Sequence, residues 1–323
     1  MLAKVPKNSE VLVVGSKQSA IDATLLLCRE GHRVTMTSPS GELPAVRTRL
    51  IPGDRFPIDR GALMQLMSLW DPNDPQLDIT RLRLKYLRYL AKEIKRLGDI
   101  PVSRQLSNSS SAIRRLEEEI NISERNYCKW ENSVVGFVDA INDIHIRDFK
   151  ESIFNVEPEF KRKLMRYIAS IAVPNARKVL RLLYNDNLCI KRGEVTAVEI
   201  SHARVKPWKV TWEDDERRFD AVVCAAGFEN HRYSFDEAGA LIPDKEVQPQ
   251  GSVIDFADDL SIRNPRTNEK ENIWISGSAT HLKIMTSSAV FLAIPQVRLA
   301  INELKRRILC SNKDGGVDEK IAV

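Results

Sequence analysis

The first forty residues combine strand-like apolar runs with helical spacing. Four apolar residues, Val11 to Val14, lead into Gly15, and a helical pattern then runs from about Ser19 to Glu30. Its small and apolar positions share one face, at the spacing of a helix that packs on a sheet: Ala20, Ala23, Thr24 and Leu27. Gly31 ends this helix, and a second strand-like run follows over 33–37. The pattern predicts strand, turn, helix and strand, which is the first part of a βαβ unit.

A long middle region, roughly residues 60–185, has mostly helical spacing. Three stretches are amphipathic, over 82–98, 112–120 and 158–173, and the first of them stops at a glycine. Between the first two, SRQLSNSSSAI at 103–113 has the composition of a mobile linker. We expect these helices to form an insertion that shapes a substrate pocket.

Strand-like patterns return toward the C-terminus. The segments 188–201 and 208–227 predict successive strands, and 271–281 predicts a buried strand ending in glycine, followed by a helix at about 284–308. Such an order favours an α/β fold: a three-layer, Rossmann-like core with a mostly parallel sheet and a large helical insertion. The predicted segments are a nucleotide-binding segment (1–58), a helical insertion (59–185), the return to the core (186–310) and a flexible tail (311–323).

The composition favours a soluble, cytoplasmic protein of enzyme size. Of the 323 residues 43% are hydrophobic, and the net charge of +5 is scattered along helical segments, so we expect no nucleic-acid binding. The chain contains no run approaching the roughly 20 apolar residues of a membrane span, so we expect no membrane insertion. Five cysteines are far apart and form no CxxC pair, and HExxH is absent, which argues against disulfide and metal sites.

The turn after the first strand bears on nucleotide binding. In G-x-G-x-x-G/A, the first glycine bends the chain, the second lets the backbone approach the pyrophosphate, and the third lets helix pack on strand. In VLVVGSKQSAID these positions hold Gly15, Lys17 and Ala20. A Cβ at residue 17 would crowd a pyrophosphate, but its amine adds positive charge where helix amides already favour anions. A weakened dinucleotide site, a different anion site, a decayed site and a purely structural turn all remain open.

The end of the second strand bears on which nucleotide would bind. NAD- and FAD-binding units usually carry an acidic residue there for the ribose hydroxyls. This chain reads MTSPS over 36–40, with no carboxylate before Glu42. The pattern favours the phosphorylated ribose of NADP, with Ser38, Ser40 and either Arg47 or Arg49 as anion contacts. A plain polar loop is the alternative.

Several segments, taken in order, resemble a known family. VLVVGSKQSAID and GHRVTMTSPSGELPAVR are similar to a GxGxSAxD turn and its SRSGxLPxxR loop in the FAD/NAD(P)-binding oxidoreductases related to flavin-containing and N-hydroxylating monooxygenases. FDAVVCAAGF resembles their D-x-V-x-x-A-T/A-G strand, and IWISGSATH with TSSAVFLAIPQ resembles their C-terminal flavin-domain strand and helix. The resemblance covers most of the chain outside the helical middle.

The resemblance implies an FAD/NAD(P)H-dependent oxidoreductase of small-molecule or secondary metabolism, monooxygenase-like, with FAD and NADP as cofactors. In such enzymes the coenzymes carry the chemistry while the protein positions and shields them, so no side chain is assigned an acid or base role. The binding residues expected are, at the first turn, Gly15, Ser16, Lys17, Gln18, Ser19 and Ala20; near the ribose, Ser38 and Arg47; and at a second cleft, Gly227, Gly277, Thr280 and His281. For His281, an ordinary place in a surface loop is the alternative to a binding role.

Three departures from the family pattern leave alternatives open. Lys17 replaces the central glycine, Pro39 replaces the loop arginine, and the usual N-terminal FAD-binding GxGxxG segment is expected to be lacking before residue 9. The single unit could be the flavin-binding fold itself, with the CAAG and SGSATH strands completing one sheet. The missing half could be a partner polypeptide, or the fold could have lost its cofactor. The competing function is therefore a non-catalytic, degenerate flavoprotein-fold subunit that pairs with a partner chain, and a homo-oligomer is a further alternative.

Overall fold

The computed structural model divides the chain into two compact units, Met1–Phe137 with Ile153–Phe228, and Val138–Ser152 with Glu229–Val323. The residues that the structure describes are 5–47, 58–71, 73–96, 101–125, 130–131, 133–134, 136–138, 140–141, 164–227, 233–235, 241–243, 257, 259–264, 267–276 and 290–314.

The first unit alternates strands and helices as the sequence predicts. Its elements in chain order are β1 (Glu10–Val14), α1 (Gln18–Arg29), β2 (Arg33–Ser38), β3 (Val46–Arg47), α2 (Arg60–Met67), α3 (Ile79–Arg96), a 3₁₀ turn (Val102–Arg104), α4 (Ala112–Glu124), β4 (Ile171–Ala172), α5 (Val173–Tyr184), β5 (Leu188–Arg192), β6 (Val195–Ile200), β7 (Trp208–Trp212), β8 (Glu216–Phe219) and β9 (Ala221–Cys224).

A four-stranded parallel sheet in the order β5-β2-β1-β9 organises this unit. Because side chains alternate across a strand, β1 serves two cores. Val11 and Val13 pack with α1, α4 and α5, while Leu12 and Val14 pack with the antiparallel sheet β6-β7-β8. Helices, parallel sheet and antiparallel sheet therefore form three layers, and the predicted α/β class is confirmed. The return strands predicted over 188–201 and 208–227 are present as β5 to β9.

The predicted helix over 158–173 is wrong at its C-terminal end. Residues 164–168 are helical, but β4 then pairs in parallel with β3, and the Ile171 N–H donates to the carbonyl of Ala45 at 2.8 Å. A new helix, α5, follows with Pro174 in its first turn, where a missing N–H costs no intrahelical bond. Long-range pairing thus overrides the helical pattern.

The serine-rich stretch at 103–113 is not a free linker. Gln105 is buried and its Oε1 accepts the N–H of Trp130 at 3.1 Å. Ser107 donates to Glu118 at 2.5 Å, and Ser111 caps α4 by accepting the N–H of Arg114 at 3.4 Å. Polar side chains that looked linker-like in sequence hold the segment in place.

The second unit contains β10 (Tyr233–Phe235) paired with β11 (Leu241–Pro243), β12 (Ser261–Arg263) paired with β13 (Lys270–Trp274), and α6 (Val290–Asp314). The predicted strand near 271–281 is present as β13, but it is not buried, since Ile273 is 39% exposed. β13 pairs in antiparallel orientation with β12. The expectation that the CAAG and SGSATH strands complete one sheet stays a prediction, because residues 277–281 lie outside the described residues. Among the described residues, no helix is long and apolar enough to cross a bilayer.

Candidate functional site

The turn between β1 and α1 requires glycine at residue 15. Gly15 has φ +124°, and a Cβ there would lie only 2.7 Å from the carbonyl carbon of Ala225. Its N–H donates to the Thr37 carbonyl at 2.8 Å, and the Ala225 N–H donates to the Val14 carbonyl at 2.7 Å. Two neighbouring strands therefore close around a bend that an L side chain would disrupt.

Helix α1 begins directly after this bend with its amides uncapped by its N-cap side chain. Lys17 is the N-cap residue, in an extended conformation with no side-chain cap hydrogen bond, and the first intrahelical bond runs from the Ile21 N–H to the Lys17 carbonyl at 2.9 Å. The N–H groups of Gln18 to Ala20 have no intrahelical acceptor, because no helical carbonyl precedes them by one turn. Together with the helix dipole, they form a cluster of donors suited to an anion.

Side chains around the turn differ in what they offer. Lys17 and Ser19 are exposed, whereas Ser16 is buried and Ala20 is fully buried in the helical core. Gln18 turns away from the bend, because its Nε2 donates to the carbonyls of Ser170 and, at 3.3 Å, Ala169. The small residue at position 20 lets α1 pack on the sheet, and Gln18 ties the turn to the segment before β4.

The end of β2 is a closed, hydrogen-bonded turn. Ser38 Oγ accepts the N–H of Gly41 at 3.1 Å, and Ser40 Oγ accepts the N–H of Glu42 at 3.2 Å. Thr37 Oγ1 donates to the Gly193 carbonyl at 3.2 Å and accepts Trp212 Nε1–H at 3.0 Å. The serine hydroxyls thus shape the loop, which brings it against the end of β5.

A pocket of about 400 Å³ lies beside this loop. It is bounded by the loop after β2, the start of α4, the end of β5 and one residue of the helical turn at 164–168. Three arginines and two glutamates line it together with small and apolar groups: Ser40, Gly41, Glu42, Leu43, Pro44, Ser110, Ala112, Arg115, Leu116, Glu119, Arg166, Ile190 and Arg192.

Two of the three arginines are already paired. Arg115 Nη1 lies 2.8 Å from Glu42 Oε1, and Arg166 Nη2 lies 2.7 Å from Glu119 Oε1. Burial lowers the pKa of Arg166, but the Glu119 carboxylate outweighs it and holds that pKa above its ordinary value. Arg192 is exposed and makes no hydrogen bond or ion pair with the described residues. The pocket therefore carries one unbalanced positive charge, on Arg192.

The predicted ribose and second-cleft residues fall in different places. Neither Ser38 nor Arg47 lines the pocket; Arg47 lies on β3, opposite Ala172. Gly227 follows β9 with φ +117°, and no atom of the described residues lies within 4 Å of a Cβ added there. Gly277, Thr280 and His281 lie outside the described residues. No group of acidic, histidine or cysteine side chains that could hold a metal ion occurs in the described segments.

The pocket arginines were missed by sequence reasoning. Arg192 is the last residue of β5 and precedes Gly193, which is a readable signal for a residue at the carboxyl end of a parallel strand. Arg115 and Arg166 lie in amphipathic helical stretches that contain other basic residues, and their spacing in sequence does not distinguish them.

No family model matches this chain, and no curated protein sequence matches it. Among solved structures, it is similar to an ornithine hydroxylase (PvdA) from Pseudomonas aeruginosa, at 11% identity and TM-score 0.40, over 91% of this chain and 51% of that one. It is also similar to a glycine oxidase from Geobacillus kaustophilus (14%, TM-score 0.24, 69% of this chain and 56% of that one). A third is the HOCl-induced flavoprotein disulfide reductase RclA from Escherichia coli, at 12% identity and TM-score 0.25, over 93% of this chain and 71% of that one.

The chain spans about half the length of the first two of these proteins.

Proposed function

We propose that this chain binds a dinucleotide coenzyme at the β1–α1 turn and acts in flavin- and NAD(P)H-dependent oxidation of a small molecule, in a monooxygenase-like reaction. The carrying observation is the turn itself: a glycine that no other residue replaces without strain, followed by uncapped amides at the N-terminus of α1. Backbone in this arrangement at the end of a parallel strand suits a pyrophosphate.

The proposal assigns binding roles to residues of the turn. The amides from Gln18 to Ala20 would hold the pyrophosphate, Gly15 would keep the bend open to it, and Lys17 would add positive charge from the exposed side. The coenzymes would supply hydride transfer and oxygen activation. The chain's own contribution is to bind them, orient them and exclude water.

We assign the pocket beside β2 to the phosphorylated ribose, which favours NADP over NAD. Glu42, the first carboxylate after β2, is paired with Arg115 at 2.8 Å, so its negative charge is largely offset and repels a ribose phosphate less. Arg192 supplies the unbalanced positive charge that a 2′-phosphate requires, because a guanidinium binds phosphate through several parallel donors.

The competing function is a non-catalytic subunit with a degenerate site. The observation in its favour is that both hydrogen bonds of the Gln18 amide go to the protein's own carbonyls, at residues 169 and 170, and not to the bend. Lys17 in place of the central glycine points the same way.

Thermal unfolding of the purified chain with FAD, NADPH or NADH separates the two functions. A coenzyme that binds only the folded chain raises its Tm by mass action. We expect FAD or NADPH to raise the Tm. We also expect the purified protein to absorb visible light as flavins do, and to release that flavin on heating. A colourless protein whose Tm responds to none of these coenzymes would establish the non-catalytic alternative.

Charge reversal at the two ends of α1 locates the binding. Lys17→Glu places a carboxylate among the donor amides and should abolish most of the coenzyme-induced rise in Tm. Arg29→Glu changes the charge equally at the other end of the same helix, where the side chain is 73% exposed, and should leave that rise unchanged. Equal loss in both variants would show that net charge, and not the turn, attracts the coenzyme.

A further inference from the structure

Helix α6 presents a continuous apolar stripe to solvent. Val297, Ile301, Leu304 and Ile308 follow one another at intervals of four, three and four residues, and they expose 44%, 45%, 44% and 51% of their surface. This interval is that of the seam between two packed helices. Scattered exposed apolar residues are ordinary, but a contiguous stripe of four on one helix marks an interaction surface.

The rotation of α6 about its axis is fixed by its neighbour in the same unit. Arg307 Nη1 donates to Asn272 Oδ1 at 2.6 Å, and its guanidinium lies 5.1 Å from the centre of the Trp274 ring. Arg307 also lies 3.5 Å from Asp259. Successive helical residues are about 100° apart, so Leu304 and Ile308 lie roughly 60° and 100° around the helix from this anchor. The stripe is therefore held beside the β12–β13 pair and not turned onto it.

One flank of the stripe is basic. Arg298 and Lys305 lie seven residues apart along one side of it, and both are exposed. The single acidic residue between 297 and 309, Glu303, is occupied by Arg306 at 2.7 Å and Arg307 at 3.1 Å. Hydrogen bonds from these arginines lower the pKa of Glu303 to about 2. Arg298 and Lys305 have no ion-pair partner among the described residues, so an occupant of the stripe meets apolar side chains bordered on one side by positive charge.

We propose that the stripe Val297, Ile301, Leu304 and Ile308 docks an amphipathic helix of another polypeptide whose apolar seam is bordered by Asp and Glu. Such a helix buries the four side chains and places its carboxylates opposite Arg298 and Lys305. A second copy of this chain fits less well, because an antiparallel pair sets Arg298 and Lys305 against their own counterparts. The proposal holds whether or not the turn at Gly15 binds a nucleotide.

The test uses the full chain and two synthetic helical peptides that share one Ile/Leu seam. One peptide carries Glu at the positions flanking the seam, and the other carries Lys there. Fluorescence anisotropy should show saturable binding of the acidic peptide and binding at least about tenfold weaker of the basic one. Equal binding of the two peptides, or no binding of the acidic one, would overturn the proposal.

Matched variants place the binding on α6. Leu304→Asp should weaken the acidic peptide by about tenfold or more, since it removes one buried anchor. Leu84→Asp changes the same residue type on α3, where Leu84 is 47% exposed, and should leave the affinity unchanged. A double variant, Arg298→Glu with Lys305→Glu, should reverse the preference between the peptides, with far-ultraviolet circular dichroism confirming that it folds. A chain that sediments as a dimer until Leu304→Asp is introduced would assign the stripe to a second copy and overturn the proposed occupant.

Discussion

The β1–α1 turn and the pocket beside β2 are both suited to anions, but they are made in different ways. The turn uses six consecutive residues, and its donors are backbone amides that any sequence with the right bend supplies. The pocket uses side chains from four separated segments, and its charge depends on which carboxylate each arginine meets. Substitutions should therefore damage the turn through backbone geometry and the pocket through unpaired charge.

The largest effect is expected from Arg166→Met in the pocket. The change leaves the Glu119 carboxylate buried without its ion-pair partner, which should reduce the free energy of unfolding by about 4 kcal/mol in urea denaturation. Adding Glu119→Gln removes the stranded charge but keeps a side-chain oxygen that can accept the Val46 N–H, and it should recover most of that loss. A double variant as unstable as the single one would show that the packing of Arg166, and not its charge, stabilises this side of the pocket.

Gly15→Ala should produce the next largest loss, through the backbone. The substitution combines positive φ with an approach of 2.7 Å to the Ala225 carbonyl carbon, so we expect a loss of about 3 kcal/mol in the same assay. Gly227→Ala is the matched control, because residue 227 also has positive φ but no atom of the described part of the chain within 4 Å of its added Cβ. It should cost about 1 kcal/mol, and equal losses would contradict the close-approach explanation.

Arg192→Ala should alter coenzyme choice without altering stability. Removal of the Arg192 guanidinium should lower the affinity for NADPH by about tenfold in isothermal titration and leave the affinity for NADH unchanged. Arg204→Ala, at another exposed arginine of the same unit, controls for net charge. If both variants weaken NADPH equally, the pocket does not contact the ribose phosphate.

The smallest effect is expected from Lys17→Gly, which sharpens the difference between backbone and side-chain contributions. Loss of the Cβ should raise the affinity for a dinucleotide by about threefold. Loss of the amine should lower the affinity for inorganic pyrophosphate by a similar factor. Both affinities are measurable by titration. If the dinucleotide weakens as much as pyrophosphate, the lysine amine is the more important element of the turn.

Sequence reasoning performed best where contacts are local. The strand, Gly15 bend and helix over 10–29 follow from hydrophobic spacing and one glycine, and α1 lies within one residue of its predicted bounds. It failed where distant segments meet, since nothing in the helical spacing before residue 173 signals the pairing of β3 with β4. The pocket was missed for the same reason. One of its two ion pairs joins residues that are 47 positions apart in the sequence, and the other joins residues that are 73 positions apart.

Residues 166–170 connect the two regions physically. Arg166 lines the pocket, donates to the Leu43 carbonyl at 3.1 Å and accepts the Ala45 N–H at 3.0 Å through its own carbonyl, while residues 169 and 170 receive the Gln18 amide. One short length of backbone thus touches both the start of α1 and the wall beside β2. A ligand at the turn and a second ligand in the pocket would bear on the same five residues, and thermodynamic linkage makes any coupling between their affinities reciprocal.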